Sequence, residues 1–179
     1  QCRQPGQVAE RLYGPDFLNA MLQRTSQWTD RRCRHFFYGS TPEVLEKLTT
    51  QVQRSYPTID IAGQISPPFR PLSDDEQDQH LLHINHSKAD VLWVGLGAPQ
   101  QEKWVARHHH RLNVPLISAV GAAFDFLAGH KKQAPVWMQK NGLEWLFRLG
   151  CEPKRLAGRY ATTIPQFVAL LALSHRRRR

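Results

Sequence analysis

The sequence has few cysteines and no long apolar run. Its three cysteines, Cys2, Cys33 and Cys151, lack CxxC spacing and are odd in number, which argues against a disulfide framework and favours a reducing compartment. No stretch approaches the roughly 18 consecutive apolar residues of a membrane-spanning helix, and the first residues lack the apolar core of a signal peptide. We therefore expect a cytoplasmic chain.

Several nucleotide-binding signatures are also missing. The segment GLGAPQ (95–100) has the first two glycines of GxGxxG and lacks the third, which disfavours a Rossmann dehydrogenase. No GxxxxGK[ST] is present, so a P-loop NTPase is disfavoured as well. No Asp-x-Asp pair occurs either, so the chain lacks the usual short signature of glycosyltransferases that hold the sugar nucleotide through a metal.

The histidines do not predict a metal site. His83 and His86 are three residues apart and His108 to His110 are consecutive. Consecutive helical side chains point in different directions, and no further ligand completes zinc-like spacing. We expect solvated surface histidines and no metal or other cofactor.

The chain is strongly basic. Its formal net charge is +9 and its pI is about 9.9, which predicts an anionic partner: nucleic acid, anionic lipid or a phosphorylated substrate. Composition does not choose among them. A hydrophobic content of 41% over 179 residues suits one α/β-sized domain.

Apolar segments alternate with helix signals. The segments 34–38, 58–62, 90–94 and 115–120 read as strands, most of them continuously apolar. Thr41 or Ser40 with Pro42 predicts one helix start, and Ser73 with Glu76 forms a capping box for another. Residues 100–110 predict a third helix. We expect a Rossmann-like, doubly wound, mostly parallel α/β sheet, followed by a basic helical C-terminal segment.

Candidate ligand contacts follow the predicted strands. Each strand runs into a glycine, and although a single glycine is usually only a tight turn, four together favour a nucleotide crevice; the four are Gly39, Gly63, Gly95 and Gly121. Asp125 could accept hydrogen bonds from ribose hydroxyls, or it could cap a helix or pair with Lys131 or Lys132. Gln101 and Glu102 begin a helix, where an acid also suits the helix dipole.

The ordered motifs resemble those of the WecG/TagA/CpsF glycosyltransferase family. The resemblance covers residues 10–167 and rests on FFYGSTP (36–42), GQISPPF (63–69), VGLGAPQQE (94–102), VGAAFDFLAG (120–129), APVWMQ (134–139) and GLEWLFRL (142–149). It implies inverting transfer of N-acetylmannosamine, its uronic acid or a related HexNAc sugar from a UDP donor to an undecaprenyl-diphosphate-linked acceptor, without an obligatory metal.

The resemblance also assigns residues. It places Gln101 near the donor sugar and Asp125 near uridine, makes the glycine turns the donor pocket, and directs a basic segment with Arg148, Arg155 and Arg159 to the acceptor diphosphate. The general base is expected to be an Asp of an Asp-Gly pair upstream of residue 1, so no catalytic residue is named within the chain. Gln133 stands where many members carry Arg.

The expected organisation has two parts. Residues 1–150 form the UDP-sugar-binding domain, without its N-terminal part, and residues 151–179 form a basic, helical, membrane-proximal appendage. The apolar run 167–173 beside four arginines favours an anionic membrane surface at the inner face of the plasma membrane. The alternatives are a basic domain that binds nucleic acid and an inactive nucleotide-binding module. We expect no nucleic acid partner, and the oligomeric state is left open.

Overall fold

The computed structural model describes residues 13–131 and 133–176. These residues fall into two compact units that divide between residues 132 and 133. The first unit contains all four strands that the structure describes, and the second contains three helices. Each unit is described by itself.

The first unit is built on a parallel sheet with the order β2-β1-β3-β4. Its strands are β1 (Arg34–Gly39), β2 (Asp60–Ile65), β3 (Val91–Gly95) and β4 (Leu116–Ala119). Its helices are α1 (Gly14–Ser26), α2 (Pro42–Ser55), α3 (Asp74–His86), α4 (Gln100–His108) and α5 (Ala123–Leu127), and a 3-10 turn covers His109–Arg111. The strand order reverses between β1 and β3, because β2 lies on one side of β1 while β3 and β4 follow on the other. The predicted doubly wound fold is confirmed.

Side chains of the two central strands are buried on both faces of the sheet. Successive strand residues point to opposite faces, so Phe37 and Trp93 pack with residues of α1, α2 and α5. Phe36 and Tyr38 pack on the other face with residues of α3. Helices on both faces explain why β1 and β3 read as continuous apolar runs rather than as alternating patterns.

Two predicted helix starts occur at the expected residues. The Thr41 side chain accepts a hydrogen bond from the Val44 backbone N–H at the start of α2. Ser73 and Glu76 form the complete capping box at the start of α3. Each cap satisfies backbone donors that a helix N-terminus otherwise leaves unpaired.

A buried polar triad ties α1 to the sheet. His35 is fully buried, and Trp93 donates its Nε1–H to His35 Nδ1 over 3.0 Å. Because Nδ1 accepts, the neutral ring carries its proton on Nε2, which lies 3.0 Å from Thr25 Oγ1. Thr25 in turn donates to the Met21 carbonyl. Burial lowers the pKa of His35 to about 4, although Asp90 and Asp60 act in the opposite direction.

The second unit contains helices α6 (Val136–Lys140), α7 (Glu144–Cys151) and α8 (Pro153–Arg176). Gly142 lies between α6 and α7 with a φ of +70°, so helical geometry ends there and α6 and α7 are separate helices. Helix α8 is one continuous helix, with Pro165 inside it. Among the described residues, none of the helices combines the length and apolarity needed to cross a bilayer.

The compact units divide earlier than the boundary expected at residue 150. Helix α7 packs with both α6 and α8, so residues 133–150 group with the C-terminal helix and not with the sheet. The functional assignment of the two parts stays a prediction.

The buried imidazole predicts a loss of stability in mild acid. In the unfolded chain, His35 is protonated below its ordinary pKa of 6.5. In the folded chain, it stays neutral until about pH 4. The free energy of unfolding should therefore fall by about 1.4 kcal/mol per pH unit across this window. Urea unfolding at pH 7 and pH 5 measures the difference, which should be roughly 2 kcal/mol from this group.

A His35→Gln variant isolates the contribution of His35. The amide can accept from Trp93 and donate to Thr25 but does not titrate, so its unfolding free energy should change less between pH 7 and pH 5. Exposed His86→Gln is the control and should keep the wild-type pH dependence. Equal slopes in the wild type and His35→Gln would contradict the account.

Candidate functional site

The carboxyl ends of β1 and β3 meet at two glycines. A Cβ on Gly39 would lie 2.5 Å from the backbone carbonyl carbon and oxygen of Gly95. Gly39 also has a φ of +127°, which disfavours any residue with a side chain. Beyond this contact, the Ser40 N–H donates to the Gly95 carbonyl over 3.1 Å. This is the point where the strand order reverses, and in open α/β sheets ligands bind at such a point.

Two of the predicted glycines are also required by internal packing. A Cβ on Gly95 would lie 2.6 Å from the Phe124 ring, and one on Gly63 would lie 2.6 Å from the Phe36 ring. The structure places Gly63 inside β2 and not in a turn after it, because β2 continues to Ile65. The expectation that Gly63 ends its strand is therefore wrong. These contacts account for both glycines without a ligand.

Gln101 and Gly121 come together from successive strand-to-helix turns. Gln101 is 5% exposed, and a Cβ on Gly121 would lie 3.5 Å from both its Nε2 and its Oε1. The Gln101 Nε2 donates to Glu102 Oε1 over 2.9 Å. Since a carboxylate only accepts, this bond fixes the amide orientation. Gln101 Oε1 is left buried, with no hydrogen-bond partner among the described residues.

Asp125 lies in the first turn of α5 and is partly buried. Its carboxylate pairs with Lys131, with 3.3 Å between Oδ2 and Nζ. Its backbone carbonyl accepts from the N–H groups of His130 and Lys131. Asp125 therefore has one of the two lysine partners that the sequence offered as an alternative to a ribose contact, namely Lys131. Lys132 lies outside the described residues.

The start of α1 adds a feature that the sequence reasoning missed. A Cβ on Gly14 would lie 2.9 Å from the Val120 carbonyl oxygen, and the rings of Tyr13 and Phe126 are 6.3 Å apart. Helix α1 therefore begins beside the carboxyl end of β4, next to Gly121. The sequence signal was Pro15 in a first turn, followed by Leu18 and Leu22 at helical spacing.

The three predicted arginines belong to the second unit. Arg148 pairs with Glu144 within α7, with 2.8 Å between Nη2 and Oε1. Arg155 and Arg159 lie on α8, and their side chains are outside the described part of the chain.

The expectation for the histidines is wrong at one position. His83, His86, His109 and His110 are exposed, but His108 is only 5% exposed because it packs beside Trp104, with ring centroids 5.2 Å apart. Within residues 13–131 and 133–176, no group of three or more His, Cys, Asp or Glu side chains is placed to hold a metal ion.

Comparison with known proteins identifies the family of the chain. Residues 3–179 match the family described as "Glycosyl transferase WecG/TagA/CpsF family". The chain belongs to this family. The match includes every strand and turn of the candidate site and agrees with the resemblance carried by the sequence motifs.

Curated proteins similar to this chain carry one name in several bacteria. Each is an "N-acetylglucosaminyldiphosphoundecaprenol N-acetyl-beta-D-mannosaminyltransferase". The Bacillus spizizenii protein is 30% identical over 95% of this chain and 62% of its own length. The Bacillus subtilis protein is 30% identical over 88% and 60%, and the Staphylococcus aureus protein (strain NCTC 8325) is 32% identical over 79% and 53%. The chain thus spans about three fifths of the length of the curated relatives it matches.

Proposed function

We propose that this chain supplies the donor-binding part of an inverting glycosyltransferase. The enzyme would move N-acetylmannosamine, its uronic acid or a related HexNAc sugar from UDP to an undecaprenyl-diphosphate-linked acceptor in cell-surface polysaccharide synthesis. The family membership and the names of the relatives support this reaction class. The observation that carries the placement is the buried, unpaired Gln101 Oε1 beside Gly121.

Gln101 is proposed to bind the donor sugar. An acceptor oxygen that is buried without a partner costs free energy, about 1 to 3 kcal/mol. A hydroxyl or amide N–H of the donor would satisfy it. Glu102 would hold the amide in the required orientation through the bond that it already makes to Nε2.

The glycine turns and Asp125 are proposed to hold the nucleotide. Gly39 and Gly95 bring two strand ends together, and Gly121 adds a third turn. Backbone N–H groups at such turns suit phosphate oxygens. The Asp125 carboxylate, which pairs with Lys131, would accept hydrogen bonds from ribose hydroxyls. The proposal for Gly63 is weakened, because its packing against Phe36 already explains it.

The general base is proposed to be the Asp of an Asp-Gly pair that precedes the matched segment. Helix α1 begins beside Gly121, so the start of this helix lies at the edge of the sheet that is proposed to bind the donor. A residue that precedes the helix would therefore need no long connection to reach the reacting sugar.

The second unit is proposed to meet the membrane and the acceptor. Four of its large apolar side chains are 40–64% exposed: Trp137, Trp145, Leu146 and Phe167. Basic residues beside exposed apolar groups favour an anionic lipid surface. Arg148, Arg155 and Arg159 would pair with the acceptor diphosphate, for which guanidinium groups are well suited. The site of action would be the inner face of the plasma membrane.

Binding of UDP tests the donor pocket. Calorimetry should detect UDP binding in preference to ADP. Asp125→Ala should weaken UDP affinity about tenfold, the effect of losing one charge-assisted hydrogen bond. Exposed Asp30→Ala is the matched control and should bind like the wild type. Absence of binding at millimolar UDP, or equal affinity for ADP, would contradict the proposal.

Sedimentation with vesicles tests the membrane surface. The chain should bind phosphatidylglycerol-containing vesicles more tightly than phosphatidylcholine vesicles, and added salt should weaken binding. The double variant Trp137→Ser and Phe167→Ser should lower partitioning into vesicles at least about tenfold. Both aromatic side chains would move from water into the membrane on binding, and serine loses that gain in free energy. Trp28→Ser, a 42% exposed tryptophan of the first unit, is the control. Binding that ignores lipid charge, or an equal effect of the control, would contradict the proposal.

A further inference from the structure

A second cavity lies between α3 and the end of α4, on the opposite side of the sheet from α1, α2 and α5. Its volume is about 430 Å³, within the range of small-molecule sites. It is lined by Asp74, Gln77, Asp78, Arg107, His108, His110 and Arg111. None of these residues belongs to the proposed donor pocket.

His108 gives this cavity an unmet chemical requirement. The side chain is 95% buried, and neither ring nitrogen has a hydrogen-bond partner among the described residues. A neutral imidazole has one donor and one acceptor, and leaving both unpaired is costly. A buried polar group in this condition indicates a missing partner, and His108 also lines the adjoining cavity. Burial lowers the pKa of His108, and the nearby Arg107, Arg111 and His110 act in the same direction against Asp78.

The cavity walls have opposite chemistry. Arg107, His108, His110 and Arg111 line one side, and acceptor-bearing side chains of α3 line the other. Arg111 is already engaged, since its Nη2 lies 2.8 Å from Asp78 Oδ1. Arg107 has no ion-pair partner in the described part of the chain, so its guanidinium is available to an anion. Asp74 and Gln77 remain as acceptors for hydroxyl groups.

The chemistry of the two cavity walls and the buried His108 ring together restrict the class of ligand that fits this cavity. A metal ion is disfavoured, because the acidic and histidine side chains of the described residues nowhere converge in the required geometry. An apolar ligand would leave His108 unsatisfied. We propose that the cavity binds a phosphorylated polyol, such as a sugar phosphate, with its phosphate on Arg107 and His108 and its hydroxyls on Asp74 and Gln77. The phosphate would accept a hydrogen bond from the His108 ring N–H and would pair with Arg107, which has no ion pair in the described part of the chain.

Nuclear magnetic resonance of the imidazole side chains tests this site. Glucose 1-phosphate, inorganic phosphate and glucose are titrated separately into the whole chain at constant ionic strength. The resonance lost in His108→Gln identifies His108 among the nine histidines. Glucose 1-phosphate should shift it saturably, inorganic phosphate should do so more weakly, and glucose should leave it in place.

Two pairs of variants separate the cavity from general charge effects. Arg107→Gln and His108→Gln should each weaken glucose 1-phosphate binding about tenfold, the loss of one charge-assisted contact. Lys103→Gln and His109→Gln, which lie outside the lining, should stay within about twofold of the wild type. Arg107 is exposed, so its variant reports on binding even where His108→Gln unfolds.

Two results would overturn the proposal: no saturable shift of His108, or an equal loss of affinity in the control variants. Failure of UDP binding alone would count against the proposed transferase function and leave this cavity standing.

Discussion

The close approach of Gly39 to Gly95 is the constraint on which the candidate site depends. With backbone atoms where a side chain would stand, the ends of β1 and β3 meet in a contact that only glycine permits at that φ. This contact sets the register of the central strands, which pair from His35 opposite Val91 to Gly39 opposite Gly95. The contact lies where the strand order reverses, the position at which open α/β sheets bind ligands.

Packing and ligand binding make overlapping demands on the same turns. Gly95 packs against the Phe124 ring, and Phe124 also packs against Phe37 of β1, with ring centroids 5.6 Å apart. Gly95 thus belongs to the core as well as to the proposed donor crevice. A glycine at a strand end is therefore weak evidence for a ligand. The buried oxygen of Gln101 is stronger evidence, because none of the described residues offers it a hydrogen-bond donor.

The sequence predicted the fold better than it predicted the surroundings of individual side chains. Apolar runs and capping residues such as Thr41 and Ser73 are local signals, so the sheet and two helix starts could be read directly. The burial of His108 depends on Trp104 and on the packing of distant elements, which no short pattern encodes. The continuation of β2 through Gly63 depends likewise on Phe36 of the neighbouring strand. Family membership supports the proposed reaction class more strongly than the individual site residues do.

We propose that the carboxyl edge of the sheet binds the UDP-sugar donor. Backbone amide resonances recorded during a UDP titration test it most directly. UDP should cause saturable shifts concentrated at Gly39, Ser40, Gly95, Gln101 and Gly121, with smaller changes on α2 and α3. Shifts that are absent at these turns, or that are concentrated in the α3–α4 cavity, would contradict it.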